Sequence, residues 1–501
     1  MAADRLRHYG PPKPPLPERL SGTDALLYHA ERIGHPAHTL KIVIVDPTGL
    51  GRQVTTADLC GFVSNYLEAF PRLAQRVAGV RPFTGRPFWL TVPNFNPSAH
   101  IDERLLPAPG NQQQLDELCS ELATDRLDLT RPLWTLTLVT GLTGGRQAVI
   151  ARVHHAIGDG LSAMNGLRFL TTDEPGELPA RSDDLLPATE VTPAESLLRR
   201  AAASDTAEHL ARLPGLLVTG ARAAVRAARF RSTARHLPKP GFTAKNNFLT
   251  APIGPRRVCA MGAMPLAEVT SVAKSAGVTV NGVLHALLAT ALRDELLRRG
   301  ESIDEPLIAC FGIAQDGKSR HREGNFITPT FVALHVDQAD PLERLRRTGE
   351  SAREGVALRK ASGLHMAGRW NHYVPRLAPA FIKVAKHRIR SNAHVVTANV
   401  PGPTTERWIG PVRITDWYSY AIVLPPVDLN VTIHGYADHL RIGLLTAPEV
   451  TTRPHELVAG MRRALDELTL LTAMTPRTAG PDRQDSITVP ANIPLTAPSP
   501  R

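Results

Sequence analysis

QAVIARVHHAIGDGLSAMNGLRFL, residues 147–170, joins a strand signal to a helix signal through a loop that carries reactive side chains. Gln147 to Val153 is a β-rich run, and from Ser162 to Leu170 the apolar residues recur at helical spacing. Between them lies the heptapeptide His154-His155-Ala156-Ile157-Gly158-Asp159-Gly160. A strand that runs into a helix in this way implies an α/β architecture, with the connecting loop as the place where chemistry is displayed. An imidazole titrates near pH ~6.5, so a ring with one nitrogen engaged offers the other as a proton acceptor for an alcohol or amine at neutral pH. His155 is the candidate general base. His154 shapes the loop, and its substitution is expected to be milder than that of His155. Asp159 either orients the imidazole or holds the loop, and Gly160 leaves space where a long substrate would approach the main chain.

Working outward, Trp134 to Val139 and Ala148 to Val153 form an expected hairpin about a turn at Gly141 to Gly145. Thr39 to Val45 (TLKIVIV) is a further strand, and Thr56 to Phe70 has helical spacing with Thr56 as its N-cap. Residues 171–193 are polar and proline-bearing, as a linker would be. In the helix that follows, Leu210, Leu213, Leu217, Ala221, Ala224, Val225 and Ala228 fall on one arc, opposite Arg212, Arg222, Arg226 and Arg229. That helix either lies in an anionic bilayer interface or packs on the protein with its arginines solvated. From Asn246 a second unit begins. Helices are expected over Met264 to Ala276, Val280 to Arg299 and Pro454 to Leu470, and strands over Leu307 to Ile313, Thr328 to Val336, His394 to Val400 and Leu440 to Leu445.

With 501 residues the chain is long enough for two or three units. Cys60, Cys119, Cys259 and Cys310 stand far apart with no C-x-x-C spacing, which predicts free thiols in a reducing compartment and no metal site. The opening MAADRLRHYGPPKPPLPERL has charges and prolines where a signal peptide needs an apolar core, and no stretch reaches ~18 uninterrupted apolar residues. A net charge of +11 calls for an anionic partner. With few aromatics and no zinc-finger, Walker or RNA-binding signature, that partner is expected to be a membrane surface or a phosphorylated co-substrate, not nucleic acid.

Joined to its neighbours, the heptapeptide resembles that of the bacterial wax ester synthase/diacylglycerol acyltransferase family, within the chloramphenicol acetyltransferase-like superfamily. The likeness covers roughly residues 16–472. It runs through LSGTDALLYHAERIGHPAHTLKI (Leu20 to Ile42), PRLAQRV (Pro71 to Val77), PFWL (Pro87 to Leu90), FNPSAHI ahead of LPAPG, and LDLTRPLW (Leu127 to Trp134). It continues in PIGPRR (Pro252 to Arg257), TVNGVLHALLATALR (Thr279 to Arg293), Gly324-Asn325 and ANVPGP (Ala398 to Pro403).

The resemblance implies two chloramphenicol acetyltransferase-like α/β domains with mixed sheets and flanking helices, and an active-site tunnel between them. The divisions expected are a flexible N-terminus (1–15), an N-terminal acyltransferase domain (16–175), a linker with the basic amphipathic helix (176–245), a C-terminal domain (246–475) and a disordered tail (476–501). It further implies His155 as the base, with Asp159 making a structural ion pair. Pro132-Leu133-Trp134 corresponds to the family's P-L-W element, physically the entry to a buried strand with an aromatic wall.

Two departures stand out. Asn281-Gly282 replaces the usual Asn-Asp, so Gly282→Asp is expected to raise activity or stability by restoring a carboxylate near a helix start. Gly435-Tyr436 replaces Ser-Tyr. Asn281 is the candidate for an oxyanion-donor or helix-cap role.

The expected activity is transfer of a fatty acyl group from acyl-CoA, a co-substrate and not a bound cofactor, to the hydroxyl of diacylglycerol and also of fatty alcohols. The protein is expected to be cytoplasmic and peripherally associated with an anionic membrane or lipid droplet. The alternatives are a superfamily enzyme acting on a polyketide, glycolipid or peptidyl acceptor, and a non-catalytic lipid-binding relative.

Overall fold

Residue alternation in TLKIVIV decides how the N-terminal sheet is placed. The computed structural model describes residues 17–31, 35–81, 85–177, 193–315, 321–375 and 391–474. The expected flexible N-terminus, much of the linker and the expected tail lie outside the described residues. In strand β1 (His38–Asp46), Leu40, Ile42 and Ile44 point into the main core, while Thr39, Lys41, Val43 and Val45 line a cavity on the opposite face.

Going along the chain, the remaining strands are β2 (Gln75–Ala78), β3 (Phe88–Thr91), β4 (Ile101–Leu105), β5 (Trp134–Thr140), β6 (Gln147–His154), β7 (Val258–Pro265), β8 (Leu307–Ala314), β9 (Ile327–Leu334), β10 (Val395–Val400), β11 (Arg407–Ile409), β12 (Val412–Tyr420), β13 (Leu429–Tyr436) and β14 (His439–Thr446). One six-stranded sheet has the order β11-β12-β1-β6-β5-β4, the other β7-β14-β13-β10-β8-β9, and β2-β3 form a separate pair. Both large sheets mix parallel and antiparallel pairs: β4 runs parallel to β5, and β10 parallel to β8 and β13. The expected β5-β6 hairpin is present.

The division at residue 246 needs correction. β11 and β12 lie far into the C-terminal half, yet β12 pairs antiparallel with β1, so the N-terminal sheet is completed by C-terminal chain. The main core is continuous across both halves. It joins Leu40, Ile42 and Ile150 of one sheet to Met261, Leu444 and Ile433 of the other, with Leu115 and Leu122 of the helix Gln112–Thr124 among them. Each such buried side chain contributes about 1.5–3 kcal/mol. Separating the halves would therefore cost more than the ~5–15 kcal/mol by which a domain is usually stable.

Helices α1 (Gly22–Glu31), α2 (Thr56–Asn65), α3 (Gln112–Thr124) and α4 (Gly160–Leu170) belong to the N-terminal half. The cap of α2 is Thr55, one residue before the expected Thr56; its side chain accepts from Asp58 N–H while the Asp58 carboxylate accepts from Thr55 N–H. α5 is much longer than expected, Glu195–Thr233. Its packed stripe is Leu198, Ala202, Leu216 and Ala223. Leu210, Leu217 and Val225 of the predicted apolar arc are instead 58%, 54% and 50% exposed. The helix is docked on the protein with Arg212, Arg222, Arg226 and Arg229 exposed, as the second expected arrangement has it, but through a different stripe, and it turns part of the predicted apolar arc outward.

α6 (Leu266–Ala276) and α7 (Val280–Arg299) follow β7. α8 (Pro341–Ser362), α9 (Met366–Asn371) and α10 (Pro454–Met474) complete the helices named here. α7 is buried on most of its surface. Among the described residues no single helix is long and apolar enough to cross a membrane.

Gly282 overturns the expectation attached to it. The N-cap of α7 is Thr279, whose hydroxyl accepts from Gly282 N–H at 3.1 Å, so neither Asn281 nor a carboxylate is needed there. A Cβ on Gly282 would stand 3.0 Å from the Gly349 Cα of α8. The glycine is there to let two helices touch.

Candidate active site

The two histidines leave the end of β6 with opposite fates. His154 pairs with His38 across β1-β6 and is fully buried. Its Nδ1 accepts from Ala156 N–H at 3.0 Å, which puts the ring proton on Nε2, 3.1 Å from the Glu31 carboxylate. Burial alone would raise the Glu31 carboxyl, but His154 and the Ala37 N–H outweigh it and leave it below the usual range. His154 is thus spent on the scaffold.

His155 is held by its main chain alone. Its N–H donates to Ala37 O at 2.8 Å, and its carbonyl accepts from Asn325 Nδ2 at 2.8 Å. Its Nδ1 is buried and has no hydrogen-bond partner among the described residues. A neutral ring with its proton at Nδ1 would leave Nε2 as the acceptor. Burial, and then the nearby Lys41 charge, press the His155 pKa below the ordinary histidine value, so the ring is neutral at pH 7. That is the state a general base needs.

Asp159 does not complete a triad. It caps α4, Oδ1 accepting from Ser162 N–H at 2.9 Å, and Oδ2 accepts from Phe326 N–H at 2.7 Å. The loop is clamped there to the 321–326 segment: Asp159 N–H and the Ser162 hydroxyl both donate to Gly324 O, and Asn325 reaches back to His155 and to Asp24 at 2.7 Å. The carboxylate still helps as a charge, since it raises the proton affinity of both His155 and Lys41. Gly160 faces Val400, whose Cγ2 would lie 3.0 Å from a Cβ. Its bareness serves the packing of α4 on β10, which corrects the expectation of substrate clearance.

Asn281 is not brought to this loop. Its Oδ1 accepts from Asn399 Nδ2 at 2.9 Å, and among the described residues no hydrogen bond joins it to the motif. The polar group beside His155 is Lys41, which the sequence reading passed over. It lies on the cavity face of β1, only 9% exposed, and donates to the Ser419 hydroxyl at 2.6 Å. Burial, against the opposing pull of Asp159, lowers its pKa to about 8. A lone charge inside TLKIVIV was the available signal.

Beside the motif lies a cavity of about 300 Å³, walled by α2, α4 and the open face of β1-β6. Val43, Leu59, Phe62, Trp134, Leu167 and Trp417 make it apolar, and Lys41, Asp159, Arg322 and Glu323 supply its polar groups. Trp134 is the aromatic wall expected of the Pro132-Leu133-Trp134 element; it is fixed by Nε1 donating to Leu73 O at 2.7 Å. Burial raises the Glu323 pKa to about 7 against the pull of Arg72. Tyr436, the second half of the Gly435-Tyr436 departure, ties the sheets together by donating to Ile414 O at 2.7 Å and accepting from Arg407 N–H at 3.0 Å.

Residues 20–284 match the wax ester synthase/diacylglycerol acyltransferase catalytic domain, and residues 323–469 match the C-terminal domain of the same proteins. A Mycobacterium tuberculosis protein provisionally named a diacylglycerol O-acyltransferase is 31% identical over 455 residues, 89% of this chain and 94% of its own. A second from the same organism is 29% identical over 466 residues, 90% and 96% of the two chains. Among solved structures, the wax ester synthase/diacylglycerol acyltransferase of Marinobacter aquaeolei VT8 superposes with a TM-score of 0.63 at 21% identity, covering 91% of this chain and all of that one. The starter condensation domain of rhizomide synthetase, in complex with C8-CoA, shares the fold at a TM-score of 0.54 and 14% identity, over 91% of this chain and 95% of its own.

Proposed function

The chain belongs to the wax ester synthase/diacylglycerol acyltransferase family, and on that premise we propose that it transfers a fatty acyl group from acyl-CoA to the hydroxyl of diacylglycerol, with long-chain alcohols as secondary acceptors. The observation that carries this reading is a neutral His155 on a loop whose Ile157, Gly158 and Asp159 line an apolar cavity that suits an alkyl chain. His155 Nε2 takes the acceptor proton as the oxygen attacks the thioester carbon. The C–S bond then breaks, and the thiolate recovers that proton from the imidazolium. Burial and then the Lys41 charge keep the imidazole neutral beforehand.

A lipid acceptor must be drawn from a lipid phase. The exposed Leu210, Leu217 and Val225 of α5, among exposed arginines, support peripheral contact with an anionic membrane or droplet surface. This is consistent with the cytoplasmic location that the cysteines favour.

Purified protein supplied with acyl-CoA and diacylglycerol tests the reading. Triacylglycerol should form, and His155→Ala should slow it by about 10²–10⁴-fold. Neither triacylglycerol nor wax ester from the folded wild type, or near-normal turnover by His155→Ala, would remove the assignment.

A further inference from the structure

The sheets meet near His155 at a second polar group that the proton transfer does not use. Lys41 and Ser419 are register partners on β1 and β12, and among the described residues Lys41 makes one hydrogen bond for its three N–H donors. β13 and β14 pack on β12 through the face that carries Asn430, Thr432 and His434. Two contacts fix this: a Cβ on Gly443, the partner of Thr432, would fall 2.1 Å from Ser419 O, and Arg441, the partner of His434, stands 3.0 Å from Asp416 of β12. Thr432 donates to Asn430 Oδ1, and Asn430 donates to Ile422 O. His434 has no such arrangement. Its side chain is 0% exposed, and neither ring nitrogen has a hydrogen-bond partner among the described residues. Burial and then the Lys41 charge keep it neutral, so it can present one donor and one acceptor.

An unpaired buried imidazole lowers stability, which a binding role would explain. We propose that Lys41 and His434 form a polar subsite for the acceptor, taking a neutral oxygen function next to the reacting hydroxyl, as the ester carbonyl of a partially acylated polyol is. Lys41 already has Asp159 as its counter-charge, so the subsite suits a neutral oxygen and not a second anion. A monohydric alcohol has no oxygen to place there. The subsite therefore selects diacylglycerol over fatty alcohol, and it rests on the acyl-transfer reading above. The donor thioester carbonyl has the same chemistry, and the experiment separates the two.

The full-length protein is assayed with one acyl-CoA against dioctanoylglycerol and against decanol, as wild type, His434→Leu and His434→Gln. The ratio of kcat/KM for dioctanoylglycerol over decanol should fall by about tenfold or more in His434→Leu and recover in part in His434→Gln. Tm of His434→Leu should not fall, because an unpaired polar group has been replaced by an apolar one. An unchanged ratio overturns the proposal, including the case where both acceptors slow equally because the histidine serves the donor carbonyl. A changed ratio with a lowered Tm also overturns it, since the histidine would then be scaffold. Calorimetric titration of His155→Ala with dioctanoylglycerol gives a readout without turnover. Heat of binding that disappears in the His155→Ala, His434→Leu double variant upholds the subsite even if no ester is ever formed; heat that persists sinks it.

Discussion

A buried lysine beside a neutral histidine sets the pH behaviour of the site. His155 is pressed below its ordinary pKa, so it stays deprotonated as pH falls past ~6.5, and the acid limb of kcat/KM should lie below that value. Lys41, faced by Asp159, His155, His434 and Ser419, loses its charge as pH rises through about 8, where His155 is already neutral, so the base by itself gives no alkaline decline. Lys41→Met should move the acid limb upward, toward the free imidazole. A pH–rate profile with the limb unmoved would show that Lys41 does not tune the base. His154 calls for a different measurement. The sequence reading expected its substitution to be milder, but Glu31 is wholly buried and depends on it. His154→Ala should cost about 3–5 kcal/mol in urea unfolding, as breaking a buried pair does. An unaltered midpoint would mean that Glu31 finds another partner or a proton.

Helix contacts govern what a substitution at the start of α7 can do. Gly282 and Gly349 face one another, and a Cβ on Gly349 would stand 2.8 Å from Val278 Cγ1. Gly282→Asp forces apart two packed helices and buries a carboxylate at their contact. It should destabilise by about 2–4 kcal/mol, the sum of overpacking and an unpaired polar group. Thermal unfolding checks this, and a Tm equal to or above wild type would restore the helix-dipole argument. The same element shows why the sequence misled: Val280–Arg299 is located to the residue as a helix apolar on most of its surface, while the neighbour that fills its glycine comes from α8, about seventy positions away.

The whole molecule presents one long helix outward. α5 runs over the surface between the halves of the chain, with its small and leucine residues against the body and Leu210, Leu217 and Val225 in solvent. Flotation with anionic liposomes should show binding that weakens as salt screens charge over ~8–10 Å, and Leu217→Asp should weaken it further. Equal binding at low and high salt, and by that variant, would detach α5 from membrane contact.

The heptapeptide, the strand before it and the helix after it were legible in residues 147–170, because period-two and period-3.6 patterns are local properties. So were the hairpin, α7 and the candidacy of His155. Non-local pairing was not. β12 and β13 passed unrecognised although LNVTIHGY alternates cleanly, and nothing in VRITDWYSY says that it pairs with TLKIVIV 370 or so positions earlier. The division of labour between the histidines, the clamp of Asp159 onto Phe326, and the meeting of Lys41 with Ser419 and His434 depend on how distant parts of the chain are brought together. The sequence determined the local elements and the candidate base; only the tertiary structure decided its surroundings, because burial and charge act through space and not along the chain.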